Sequence, residues 1–204
     1  MIVDSDTLKL SVECLQRIKD HTWYPYQMIC VDNASNPSAI SYLAYNSDVY
    51  IRNIENRGNG MAWDQGVELA EGDIVVLMDN DVFVERDWDV EMIEKLSNPE
   101  IGITFPYSIR GDLKEDYAGR HDGFCFGFRK ETYNKVGKFL CDQPFVLGYF
   151  EDDYFEYRVQ NELGLKLIAC PSSKVWHKGQ GTTKKIWSDE MAKGISDNQK
   201  WYEQ

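Results

Sequence analysis

Two carboxylates one residue apart, in Asp79-Asn80-Asp81, directly follow the apolar run Ile74–Met78. At a strand end such a pair can share or bridge a hard divalent cation, and oxygen ligands of this kind suit Mg2+ or Mn2+. An apolar strand buried on both faces would hold both carboxylates on a rigid support, although Asp-Asn-Asp also suits an ordinary turn. A second acidic group, Asp32 in Val31-Asp32-Asn33-Ala34-Ser35, follows another apolar run. It could accept hydrogen bonds from a base or a ribose, or close an Asx turn. A third group, Glu151-Asp152-Asp153, follows Gly148-Tyr149-Phe150 at a helix start. Acids there suit the helix dipole, but three in a row exceed what a cap needs, and one of them could act as a general base. Finally, His177 in Val175-Trp176-His177-Lys178-Gly179 ends a short strand before a glycine-containing loop and could add a nitrogen ligand to the same metal.

These groups need elements to carry them. Leu8, Val12, Leu15 and Ile18 fall on one helical face, which predicts a helix over about Thr7–Asp20. Gln27–Val31 reads as a strand, Met61–Ala70 as a helix after the turn-rich Asn56–Gly60, and Ile74–Met78 as a buried strand. Trp88, Met92, Ile93 and Leu96 mark a helix ending near Asn98-Pro99, and Ile101–Phe105 a further strand. Arg129–Val136 and Asp152–Leu163 are predicted helices, each stopped by a glycine, and Lys166–Ala169 and Lys174–Trp176 short strands. Gly111–Gly123 reads as a mobile polar loop that could close over a ligand, and the polar 185–204 region as a helical tail. Strands alternating with helices imply an α/β fold with a mostly parallel sheet flanked by helices, whose ligands bind in loops at the carboxyl ends of strands.

The 204 residues fit a single domain, 1–204, and a composition 43% hydrophobic and 27% charged can build a core. The net charge of −12 disfavours sequence-independent nucleic-acid binding. Ile74–Met78 is the longest strongly apolar run, far short of the roughly 20 residues of a membrane-spanning helix. The opening Met1-Ile2-Val3-Asp4 does not read as a signal peptide, and five cysteines without a CxxC pair read as reduced thiols of a cytoplasmic protein.

Taken in order, these segments resemble the family 2 glycosyltransferases of the GT-A fold. The resemblance runs from about Leu8 to Thr183. It is carried by VDNAS (31–35), NRGNGMAWDQG (56–66), GDIVVLMDND (72–81), GFCFGFRKETYNKVGKF (123–139) and YFEDDYFEYRVQNELGLKLIACPSSKVWHKGQGT (149–182). The last segment is the most specific: Glu-Asp, Arg158 six residues after Asp152, a glycine, a strand, a proline, then His-x-Gly. Asp64 stands where the family often has Asn, and Tyr154 replaces the usual second acid after Glu-Asp.

The resemblance implies a Rossmann-like single domain with a mixed, mostly parallel sheet, which moves one sugar from a nucleotide-diphosphate sugar, a UDP-sugar first among them, to an acceptor hydroxyl with inversion. Asp152 would be the general base with Glu151 beside it. Asp79 and Asp81 would hold Mn2+ or Mg2+, with His177 as a further ligand or in contact with the diphosphate. Asp32 would hold the nucleotide base, with Ser35 nearby in the nucleotide-sugar site. Asn56, Asn80, Gly123 and Phe124 would complete the nucleotide-sugar site. The acceptor would be a glycan, a lipid-linked sugar or, less in keeping with the charge, a modified nucleic acid. Two alternatives fit parts of the pattern. One is a domain of this fold that binds nucleotide or glycan without turnover. The other is a phosphatase resembling the haloacid-dehalogenase group, with Asp79 as covalent nucleophile.

Overall fold

The computed structural model describes residues 8–110, 123–139, 149–178, 193 and 196–200. The chain begins its described part in helix α1 (Leu8–His21), which buries Ser11, Cys14, Leu15 and Ile18 at helical spacing. Strand β1 (Ile29–Asn33) is followed by α2 (Pro37–Tyr45) and β2 (Val49–Asn53). Neither α2 nor β2 was expected, yet α2 has a clear start: the Asn36 side chain accepts from Ser38 N at 3.0 Å, and Pro37 opens the first turn. Then come α3 (Asn59–Leu69), β3 (Ile74–Met78), β4 (Val82–Val84), α4 (Val90–Leu96) and β5 (Ile101–Arg110). The described part closes with β6 (Cys125–Arg129), α5 (Lys130–Val136), α6 (Glu151–Asn161) and β7 (Lys166–His177). Lys166–Ala169 and Lys174–Trp176 are thus two ends of one strand. The register jumps from Cys170 to Lys174 along β5, so residues 171–173 form a bulge, where Pro171 cannot donate to the ladder. The opening residues 1–7, residues 111–122 of the predicted polar loop and most of the 185–204 tail lie outside the described residues, although residues 196–200 are helical.

The α/β class, the flanking helices and the mixed character of the sheet are as expected, although antiparallel neighbours outnumber parallel ones. β1 and β2 pair in parallel as a two-stranded sheet. The other five strands run in the order β3-β6-β5-β7-β4, with β5 and β7 parallel and the remaining neighbours antiparallel. The direction of β4 follows from the β3–β4 connection. Asp79-Asn80-Asp81 is too short for the crossover helix that a parallel return needs.

That connection has a further consequence. β3 and β4 are opposite edges of the five-stranded sheet, so four spacings of about 4.8 Å separate them if it is flat, about 19 Å. The chain from Met78 to Val82 can span at most about 14 Å. The sheet therefore curls at this end until its two edges approach, and the acidic linker crosses the gap between them.

Two apolar clusters cover the sheet. Val67 of α3, Tyr133 and Val136 of α5, and Phe155 and Val159 of α6 pack on Val75, Leu77, Ile103, Phe126 and Phe128. Cys14 and Ile18 of α1 and Met92 of α4 pack with Val82, Val84, Phe124, Cys125, Cys170 and Val175. The Arg158 of the sequence motif is buried and clamps α6 to the end of α5, donating to the carbonyls of Val136 and Lys138.

Asp64, buried on α3, has a structural task that its sequence neighbours did not disclose. Its Oδ1 accepts from Tyr133 Oη–H and Phe139 N, both at 2.9 Å. Asp64→Ala strands two buried donors and should cost about 1–3 kcal/mol of stability for each. Asp64→Asn keeps the accepting oxygen and should cost much less. Denaturant unfolding of the two variants checks the order; equal losses would mean that these bonds are not what Asp64 contributes.

Candidate active site

The curled end of the sheet fixes the acidic linker from both sides. On the β3 side, Asp79 N donates to the Phe124 carbonyl at 2.8 Å, and the Cys14 thiol of α1 lies 3.7 Å from the Asp79 carbonyl. Asn80 turns the other way and donates to Ser11 Oγ of α1 at 2.9 Å. On the β4 side, Lys178 N donates to the Asp81 carbonyl at 3.1 Å, and His177 sits opposite Val82 in the β4–β7 ladder. In this turn Asp79 and Asp81 face His177, whereas Asn80 faces α1.

His177 Nε2 lies 3.2 Å from Asp81 Oδ1 and 3.9 Å from Asp79 Oδ2, and one ligand atom from each of the three residues falls within 4.8 Å of the others. Such a triangle can place two carboxylate oxygens and an imidazole nitrogen around one small divalent cation. The electrostatics agree. Loss of hydration first, and then the Asp81 charge, push the Asp79 carboxyl up to about 7, and a bound cation would oppose that rise. Asp79, Asp81 and His177 therefore fit a divalent metal ion.

The second half of the site is the start of α6. Tyr149 and Phe150 both have left-handed backbone, with φ of 76° and 73°. Two consecutive residues other than glycine in this region cost of order 1–3 kcal/mol each, and such strain concentrates at functional sites. It delivers Glu151 inward: the side chain is 2% exposed, and its Oε2 has no hydrogen-bond partner among the described residues. Burial first, and then the charges of Asp152, Asp79 and Asp153, push the Glu151 carboxyl up to about 8. Asp152 projects toward Gly123, where the backbone is left-handed (φ +66°) and a β-carbon would collide with the Asp152 carboxylate. Glycine at 123 thus makes room for Asp152. Because Asp79 feels the charge of Asp152, and Glu151 that of Asp79, the two acidic groups form one electrostatic unit.

A stability prediction follows from Glu151. Its carboxyl in the folded chain holds a proton up to about pH 8, whereas in the unfolded chain it ionises near its ordinary 4.5. The unfolded state therefore releases this proton first, and the group lowers stability as pH rises from about 4.5 to about 8. Glu151→Gln removes that loss. Its melting temperature relative to the native chain should rise between pH 5 and pH 8, by about 2–4 °C for each kcal/mol relieved. A pH-independent difference would contradict a buried, proton-holding Glu151.

The other residues singled out in the sequence are placed separately. Asp32 is fully buried at the end of β1, where Oδ1 accepts from Ser35 N at 2.8 Å and Oδ2 from Tyr50 Oη–H at 2.6 Å and from Arg52. Arg52 also donates to the Ser35 carbonyl at 2.8 Å. These contacts hold the Asp32 carboxyl below its usual range despite burial. Both oxygens are thus engaged within the chain. Asn56 Oδ1 accepts from Gly58 N at 3.0 Å in a local turn, and Asn80 bonds α1 as described. Phe124 is 5% exposed and lies flat against His177.

Sequence reasoning missed Ser11 and Cys14, which anchor the linker from α1, and Tyr50 and Arg52, which engage Asp32. Their signal was the parallel pairing of β1 and β2, which sets Arg52 directly opposite Asp32. The described cysteines, Cys14, Cys30, Cys125 and Cys170, are free and buried, in keeping with structural thiols. No helix among the described residues is long and apolar enough to cross a membrane.

Comparison with known proteins places this arrangement. Residues 9–162 match the family described as Glycosyl transferase family 2. Over 91 residues, 45% of this chain and 26% of its own, the glucosyl-dolichyl phosphate glucuronosyltransferase of Haloferax volcanii is 31% identical. Among solved structures, GalNAc-T7 with UDP, GalNAc and Mn2+ matches with a TM-score of 0.71 at 16% identity, over 95% of this chain and 46% of its own. A Pyrobaculum calidifontis mannosyltransferase in complex with GDP-Man and Mn2+ matches at 0.67 and 20% identity, over 90% of this chain and 58% of its own. S. aureus TarS matches at 0.65 and 12% identity, over 86% of this chain and 36% of its own. The chain thus spans between about a quarter and three fifths of the length of these proteins.

Proposed function

The chain belongs to glycosyltransferase family 2 and has the GT-A fold, and from that footing we propose that it transfers one sugar, with inversion, from a nucleotide-diphosphate sugar to an acceptor hydroxyl. The observation that carries this reading is the convergence of Asp79, Asp81 and His177 on one point, within electrostatic reach of Glu151 and Asp152.

A hydroxyl is a poor nucleophile until its proton is taken, so inversion needs a base on the face of the sugar opposite the leaving group. Asp152 fills that role. Glu151, which holds its proton near neutral pH, cannot accept one there and instead donates to a sugar or acceptor hydroxyl. Asp79, Asp81 and His177 hold Mn2+ or Mg2+, which when bound supplies positive charge to the diphosphate leaving group. Two like-charged carboxylates and an imidazole favour Mn2+ over Mg2+, since a nitrogen ligand suits the softer ion. Asp32 and Ser35 form the nucleoside end, with Tyr50 and Arg52 as bonded partners of Asp32. Asn56, Asn80, Gly123 and Phe124 support the donor through the backbone they fix.

UDP-sugars are the first donors to try, followed by GDP-sugars, in line with the ligands of the two Mn2+-containing neighbours. The acceptor hydroxyl belongs to a glycan, a lipid-linked sugar or a modified nucleic acid. The name of the Haloferax relative favours a lipid-linked sugar. The family match leaves the phosphatase reading of Asp79 without support. The test is release of nucleoside diphosphate from a panel of nucleotide sugars, with Mn2+ or with EDTA, in the presence of sugar and lipid-linked acceptors. Metal-dependent release that an acceptor stimulates supports the reading. Binding without release under every condition would favour the non-catalytic alternative.

A further inference from the structure

An imidazole that binds a metal through one nitrogen is ordinarily oriented by a hydrogen bond at the other. His177 has no such bond: its Nδ1 is buried and lacks a partner among the described residues. Something else must fix the ring. The Phe124 ring lies against it, with centroids 4.2 Å apart and planes inclined by 23°. Phe124 cannot readily swing aside, because it is 5% exposed and packed in the cluster with Cys14, Val82 and Cys125. Its carbonyl also accepts from Asp79 N at 2.8 Å. One residue therefore contacts two corners of the triangle, Asp79 through the backbone and His177 through the ring. The face of a phenyl ring carries partial negative charge, so the stack also favours an imidazole made electron-poor by a bound cation.

We propose that Phe124 is the positioning residue for His177: its ring replaces the missing hydrogen bond at Nδ1, holds Nε2 toward Asp79 and Asp81, and so sets the affinity of this cluster for a divalent cation. The proposal rests on the metal reading of the cluster given above. It assigns Phe124 a task beyond completing the nucleotide-sugar site.

The test is Mn2+ binding to the full chain, measured by the loss of free Mn2+ signal in electron paramagnetic resonance, with MnCl2 alone and no turnover. Phe124→Leu keeps an apolar side chain but removes the flat face, and should weaken Mn2+ about tenfold, the lower end of what loss of an orienting partner does. Phe124→Tyr keeps the face and should bind within about threefold of the native chain. His177→Ala should weaken Mn2+ by at least as much as Phe124→Leu. The decisive comparison is the double variant. If Phe124 acts through His177, adding Phe124→Leu to His177→Ala changes the affinity no further. An unchanged affinity in Phe124→Leu, or an equal loss in both backgrounds, overturns the proposal. If His177→Ala binds Mn2+ as the native chain does, the metal reading itself fails. A melting temperature for each variant, taken without metal, separates an unfolded chain from a weakened site.

Discussion

Asp152→Asn is expected to lower turnover by two to four orders of magnitude, the range that a positioned general base contributes, while nucleotide and metal binding stay within about threefold of the native chain. The substitution keeps shape and removes only the ability to take a proton. The choice of Asp152 rather than its neighbour follows from burial. Glu151 is enclosed and burial raises its carboxyl well above the usual range, whereas Asp152 is only partly buried. Glu151→Gln retains a donor and should lose less activity than Asp152→Asn. Gly123→Ala should mimic Asp152→Asn in direction, because the added methyl displaces the Asp152 carboxylate and must also adopt left-handed backbone. Nucleoside diphosphate release, paired with calorimetric binding of the nucleotide, reads both quantities. Retained turnover in Asp152→Asn, or a loss explained by weaker donor binding, would remove Asp152 from the base role.

The second large effect concerns the metal. Asp81→Asn should weaken Mn2+ binding by two orders of magnitude or more and abolish metal-dependent turnover, because Asp81 is the carboxylate nearest His177 and its backbone is pinned by Lys178. The same site gives a pH dependence of known sign. Asp79 must lose its proton to serve as a ligand, and its carboxyl is raised to about 7. Mn2+ affinity should therefore fall as pH drops through 7, by up to tenfold per unit, and level off above about 8. Titration of Mn2+ at pH 6, 7 and 8 measures this directly. An affinity that is flat over that range would mean that Asp79 is not a ligand.

The sequence made the chemistry more legible than the architecture. Ile74–Met78 is a strand with the bounds its apolar run suggested, because a short β-branched stretch has few alternatives when turn residues flank it. The acidic linker after it, the acids at the head of α6 and the histidine at the end of β7 were readable for the same local reason. Pairing was not. Nothing within a few residues of Asp79 says that β3 and β4 are opposite sheet edges, or that a three-residue linker must draw those edges together. That single fact sets His177 beside Asp81. Arg52 escaped notice because β2 is a five-residue strand with only one fully buried side chain, so its alternation was too faint to assign. Asp64 and Arg158 look catalytic by type, yet they serve packing: each satisfies backbone groups of segments far away in the chain. Their role depends on tertiary contacts that no spacing rule encodes.

The central claim is that Asp79, Asp81 and His177 would hold a cation on which nucleoside diphosphate binding depends, and melting temperature tests it most directly. The chain would be heated with UDP, GDP, dTDP or CDP, each with Mn2+ and with EDTA. A ligand at about 100 times its dissociation constant adds about 2.7 kcal/mol of stability, a shift of several degrees at this size. The expected result is stabilisation by at least one nucleoside diphosphate that requires Mn2+ and disappears in Asp81→Asn. No shift with any nucleotide, or a shift of equal size in EDTA, would contradict the account.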